Sequence, residues 1–183
     1  MSPSFDKSPL QVKSEATKAG SSQTLLLIDS EADSVRLIRK AFRLNPLVQR
    51  LIVVRAPREA IDVMRQQGRH ARDPRPTMVL ADAGVQGGID AIEALLRDLK
   101  ADRTLESIPV VVIGSDVPEE DVNRLYSAKA NCFIQRPSDP GRLQDLVLTT
   151  CQFWLAVANW STQSATSRTN GNGAGGHLAA AAG

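Results

Sequence analysis

A chain of 183 residues can hold one domain with a full hydrophobic core but is too short for two ordinary domains and their linkers. Its 22 basic residues are nearly matched by 20 acidic ones, which argues against the continuous basic face that direct nucleic-acid binding needs. The apolar runs are far too short to cross a bilayer, and no apolar stretch follows Lys7 and Lys13 before Leu25, so neither a membrane span nor a secretory signal is expected and the cytoplasm is the expected location.

Residues 1–22 and 161–183 are rich in small and polar residues without apolar periodicity, so both are expected to be disordered tails around a domain at 23–160. Within that domain, short apolar runs alternate with segments of helical period, the pattern of a parallel sheet covered by helices on both faces. The first strand is expected at 24–28, followed by a helix with Val35, Ile38, Ala41 and Phe42 on one face, closing before Asn45-Pro46. A second strand at 51–54 leads to a helix carrying Ala60, Ile61 and Met64 and ending near Gly68. A polar loop rich in Arg and Pro then reaches a third strand at 78–81.

Ile89, Ile92, Leu96 and Leu99 mark a third helix, and 108–113, the most β-branched run in the chain, predicts a central fourth strand. Pro118 with Glu119, Glu120 and Asp121 predicts a helix start, since acidic side chains complement the positive end of the helix dipole. A fifth strand is expected at 132–134, and a last helix from Asp139-Pro140 carries the aromatic stripe of Phe153, Trp154 and, beyond it, Trp160. Cys132 and Cys151 are widely spaced with no histidine cluster, the pattern of two buried free thiols. His70 and His177 fall in polar segments and receive no catalytic role.

Right-handed crossovers between such βα units give an open doubly wound sheet whose site lies at the carboxyl ends of the strands. Four of those ends carry Asp29-Ser30-Glu31, Asp82, Gly114-Ser115-Asp116 and Arg136-Pro137. The segments LLLIDSEADSVRLI, MVLADAGVQGG, VVVIGSD and CFIQRPSDP, spread over nearly the whole expected core, resemble the receiver domain of two-component response regulators. That resemblance implies an α/β, flavodoxin-like, five-stranded parallel sheet of order 2-1-3-4-5 in a (βα)5 chain.

It also implies site roles. Asp82 matches the phosphoacceptor, and Asp29, Asp82 and the backbone carbonyl of Gly84 match the ligands of a weakly held Mg²⁺. Ser30 stands where the family has a second acidic residue, Gly114 where it has a hydroxyl, with Ser115 one position later, and Arg136 where it has a lysine. Phe133 occupies the aromatic switch position, and Arg136-Pro137 is expected to be cis as in those receivers. The spacing of SVRLI, RQQGRHARDPRP, KADRTLESIPVVVI and FWLAV is similar to single-domain regulators of bacteriophytochrome-type histidine kinases.

The resemblance therefore predicts a phosphorelay protein and no metabolic enzyme. It would accept a phosphoryl group at Asp82 with reduced efficiency and signal by binding a sensor histidine kinase or another signalling protein. The alternative is a pseudo-receiver adaptor that docks partners without phosphorylation, favoured by the departures at Ser30, Gly114 and Arg136. For the terminal aromatics, a homodimer through the last helix and simple capping of the core stand as equal readings. No Gly-x-Ser-x-Gly elbow or phosphate-cradling glycine fingerprint is present, which argues against hydrolase and nucleotide-cofactor classes.

Overall fold

The computed structural model describes residues 23–43 and 48–169, with side chains through residue 156. Strands β1 (Thr24–Ile28), β2 (Arg50–Val54), β3 (Met78–Asp82), β4 (Val110–Gly114) and β5 (Cys132–Gln135) alternate with helices α1 (Ala32–Arg43), α2 (Pro57–Arg65), α3 (Gly88–Ala101), α4 (Glu119–Ser127) and α5 (Pro140–Thr169). The strands pair parallel in the order β2-β1-β3-β4-β5, as the family resemblance implies.

Three central strands, β1, β3 and β4, read as almost uninterrupted Leu, Ile, Val, Met and Ala because both of their faces are covered. Alternate residues divide between two cores. Leu26, Ile28, Val79, Ala81, Val110 and Val112 pack with α2, α3 and α4. Leu25, Leu27, Met78, Leu80, Val111 and Ile113 pack with α1 and α5. Each fully buried Leu or Ile contributes about 1.5–3 kcal/mol relative to exposure, so a register slip, which moves every side chain to the opposite face, is strongly disfavoured.

Local chemistry sets the helix ends. Pro57 opens α2, where its missing N–H would have had no partner, and the helix closes on Gln66 in a left-handed conformation while Gln67 N–H reaches back to the Asp62 carbonyl at 2.8 Å. Pro118 caps α4 rather than lying in it, and Glu119, Glu120 and Asp121 fill its first turn. Gly87, with φ of 87°, caps α3 in a conformation that a side chain would resist, so the glycine-rich stretch after Asp82 is a defined turn.

Four expectations change. β4 begins at Val110 rather than at 108: Pro109 has no N–H for the ladder, although its carbonyl accepts a bond from Val79 at 2.9 Å. α5 runs to Thr169, past the domain boundary drawn at 160, because no Gly or Pro interrupts the chain before Gly171 and the residues between carry only small helix penalties. The 1–22 tail, residues 170–183 and His177 lie outside the described residues, as does the side chain of Trp160. Cys132 is only half-buried, since β5 is an edge strand, whereas Cys151 is fully buried against the sheet. The Arg136–Pro137 bond is trans, the isomer favoured for X–Pro bonds generally.

The loop between α2 and β3 contains a short 3-10 turn at Gly68–His70. His70 is buried there, with Nδ1 2.8 Å from Asp73 and Nε2 3.4 Å from Glu59. Among the described residues, no helix is long and apolar enough to cross a membrane.

Candidate functional site

Parallel strands deliver their carboxyl ends to one edge of the sheet, and the ladder carries the ends of β3 and β5 slightly further. Ala83 N–H bonds the Ile113 carbonyl at 2.7 Å and Arg136 N–H bonds the Gly114 carbonyl at 2.8 Å. Asp82 and Arg136 are thereby fixed on either side of β4, and their side chains meet: Arg136 Nη2 forms an ion pair with Asp82 Oδ2. The pair is largely enclosed, with side-chain exposures of 16% for Arg136 and 13% for Asp82, which shields it from solvent screening.

The other Asp82 oxygen, Oδ1, accepts a 2.6 Å bond from the backbone N–H of Gly84. A Cβ at residue 84 would lie 2.9 Å from that same oxygen, so glycine there leaves room for the carboxylate. Asp29, just past β1, is 2% exposed and accepts from Glu31 N–H at 2.9 Å and from the Ser34 hydroxyl at 2.5 Å. Arg136 Nη1 in turn donates to Ser34 Oγ at 3.1 Å. A continuous polar chain therefore runs from Asp82 through Arg136 and Ser34 to Asp29.

Ser34 is the residue that reading the sequence missed. It stands one helical turn before Ile38 on the buried face of α1, so extending that apolar stripe by four residues would have found a hydroxyl aimed at the end of β1. Ser115 is exposed, and it lines a cavity of about 370 Å3 together with Glu31, Asp82, Gly84, Asp116 and Arg136. A neighbouring cavity of about 600 Å3 shares Glu31, Ser115, Asp116 and Arg136 and extends between α1 and the start of α5. Glu31 is thus on the rim, solvent-exposed, and its contact with Asp29 is through the backbone.

Gly114 is buried, and a Cβ there would come within 2.6 Å of Val117 Cγ2, 2.8 Å of Ala83 Cβ and 3.5 Å of Phe133. The missing hydroxyl position is therefore filled space. Phe133 is half-buried against the α2–α4 core, and its backbone N–H donates to the Tyr126 hydroxyl at 3.1 Å. Asp121, also on the cavity wall, pairs with Arg124 at 2.8 Å, and Arg124 holds Asp90 at 2.5 Å and Glu93 at 2.7 Å on α3.

The donor chemistry of Asp29, Asp82 and the Gly84 carbonyl suits a hard divalent cation, which prefers oxygen ligands and retains waters. Each carboxylate oxygen already has a protein donor but keeps a second lone pair for a metal. Among the described residues, no group of three or more His, Cys, Asp or Glu could hold a metal by itself, so any cation here relies on backbone and solvent oxygens.

No family model matches the chain. It is 32% identical over 131 residues to response regulator Rcp1 of Synechocystis, a match covering 72% of this chain and 87% of that protein. It is 28% identical over 131 residues to a probable methanogenesis regulatory protein, FilR2, of Methanothrix harundinacea, covering 72% of this chain and 83% of that one. Among solved structures, it resembles the phosphorylated cyanobacterial phytochrome response regulator RcpA with a TM-score of 0.68 and 28% identity, over 75% of this chain and 96% of that one. The Mn²⁺-bound form of Rcp1 gives 0.65 and 27% identity, over 73% and 94% respectively.

Proposed function

The chain belongs to the response regulator family of two-component signalling, and we propose that it serves there as a single-domain cytoplasmic receiver that accepts a phosphoryl group on Asp82 and signals by protein contact. The observation that carries this reading is the enclosed Asp82–Arg136 ion pair at the carboxyl edge of the sheet. It supplies a nucleophilic carboxylate and a fixed cation in one pocket open to a partner.

In the transfer, an Asp82 oxygen attacks the phosphorus of a phosphohistidine on a sensor kinase. The O–P bond forms as the P–N bond breaks, and the imidazole leaves with the electron pair. Negative charge stays on the transferring oxygens, so the chain's task is positioning and charge neutralisation. Arg136 offers a second N–H beside the one on Asp82, and the cavity of about 370 Å3 has room for a tetrahedral group. A bound Mg²⁺ on Asp29, Asp82 and the Gly84 carbonyl would add Lewis-acid stabilisation of the same oxygens.

Ser115 at the cavity wall would meet the phosphoryl group from the β4 side. The modified Asp82 no longer pairs with Arg136 as a simple carboxylate, and that change is the difference that a switch through Phe133 and α4 needs. Self-association through α5 is supported by Phe153, which is 60% exposed and packs edge-on against Trp154 with centroids 5.3 Å apart.

The test is exposure of the purified chain to acetyl phosphate or phosphoramidate with Mg²⁺, followed by intact mass. One phosphoryl adduct, absent in Asp82→Asn, is expected. An unmodified wild-type mass would instead support an adaptor that docks partners without phosphorylation.

A further inference from the structure

The chain from Asp82 to Asp29 has a direction. A serine hydroxyl has one proton to give, and here it faces Asp29 Oδ2 at 2.5 Å, which leaves the Oγ lone pairs to accept Arg136 Nη1 at 3.1 Å. Ser34 is 5% exposed, so water does not compete for either contact. Asp29 polarises the O–H bond, which makes Oγ a stronger acceptor for the guanidinium, and the guanidinium makes the proton a better donor to Asp29. Arg136 and Ser34 thus link Asp82 to Asp29, the two carboxylates that would help hold a divalent cation.

We infer that Ser34 is a positioning residue that holds Arg136 across the pocket, so that the guanidinium, paired directly with Asp82 and linked to Asp29 through the Ser34 hydroxyl, opposes a divalent cation held by the same two carboxylates. This rests on the reading of the pocket given above, but it concerns cation occupancy rather than phosphoryl transfer. Two cations of like sign within one enclosed site repel, and anything that strengthens the tether on Arg136 weakens the metal. The coupling is reciprocal: cation binding at Asp29 withdraws the charge that polarises Ser34 and loosens its hold on Arg136. Arg136 cannot relieve the conflict by backbone movement, because its own N–H is bonded to Gly114.

The experiment is Mn²⁺ titration of the full chain by electron paramagnetic resonance, with no phosphodonor present. Ser34→Ala should tighten Mn²⁺ binding by about three- to tenfold, the range of one hydrogen bond. Ser34→Thr, which keeps the hydroxyl, should restore the wild-type value. In an Arg136→Ala background, Ser34→Ala should have a clearly smaller effect, since no tethered cation remains.

An equal gain in both backgrounds would mean that Ser34 acts on Asp29 alone, and would overturn the inference. Unchanged or weakened Mn²⁺ binding in Ser34→Ala, or no saturable binding in any of these proteins, would overturn it as well. A failed Asp82 adduct with the Mn²⁺ pattern intact would overturn only the phosphoacceptor reading.

Discussion

The Cγ2 atom of Val117 occupies the space that a side chain on Gly114 would need: a Cβ placed there would sit 2.6 Å away, with Ala83 Cβ at 2.8 Å on the other side. Glycine and valine at these positions form one packing unit. Introducing Thr at 114 to restore the family's hydroxyl should therefore destabilise the fold by about 1–3 kcal/mol through overpacking. The double variant Gly114→Thr/Val117→Ala should recover at least half of that loss. Urea unfolding of the four proteins in the cycle measures the coupling, and strict additivity would show that Val117 is not what excludes the side chain.

Among the described residues, Arg136→Ala leaves the enclosed Asp82 carboxylate with the Gly84 N–H as its remaining protein donor. Removing one member of a partly buried pair leaves the other without its counter-charge, and about 1–3 kcal/mol of destabilisation is expected. Arg136→Lys should lose less, because an ammonium still reaches one carboxylate, though without the two-armed contact that also engages Ser34. A loss below about 1 kcal/mol for the alanine variant, by denaturant unfolding, would show that solvent already screens the pair.

Much of this arrangement is legible in the chain. The sheet order follows from the alternation of apolar runs with helical segments together with the family resemblance, and Asp29, Asp82 and Arg136 stand at strand ends where the sequence puts them. Ser34 is less visible because a lone hydroxyl on an apolar stripe reads as a tolerated polar residue until its partners are in place. His70 escapes for a similar reason: the RQQGRHARDPRP loop is polar in composition, yet contacts with Asp73 and Glu59 allow its imidazole to be buried. Composition describes single residues, whereas burial of a polar one depends on pairs.

Cys151 offers a test by chemistry. Burial pushes its thiol up to about 12 from the ordinary 9.0, while burial raises half-exposed Cys132 as well. Iodoacetamide at neutral pH should label Cys132 first and Cys151 only on unfolding. The raised value also gives a pH dependence. Between pH 9 and 12 the unfolded chain ionises Cys151 while the folded chain keeps the proton, so its contribution is complete below pH 9 and is lost as the pH rises towards 12. Cys151→Ala should flatten that alkaline decline, and an unchanged slope would place its origin elsewhere.

Lys129 closes the turn after α4 with φ of 75°, a left-handed conformation that a lysine adopts at a cost. Its backbone N–H bonds the Tyr126 carbonyl at 2.9 Å, a contact glycine would keep. Lys129→Gly should therefore stabilise the chain by about 0.5–1 kcal/mol in thermal unfolding, the relief of strain exceeding the added freedom of the unfolded chain. A fall in Tm would show that the lysine side chain contributes more than its backbone strain removes.

The backbone bond from Arg136 to Gly114 decides what kind of motion the pocket can use. With its main chain pinned to β4, the guanidinium can swing about its side-chain torsions but cannot slide along the strand. Side-chain swings of this sort are far faster than the rearrangement of strands or helices. The first response to a change of charge on Asp82 is thus a lever turning on a fixed pivot, and any slower change in α4 follows from where that lever comes to rest.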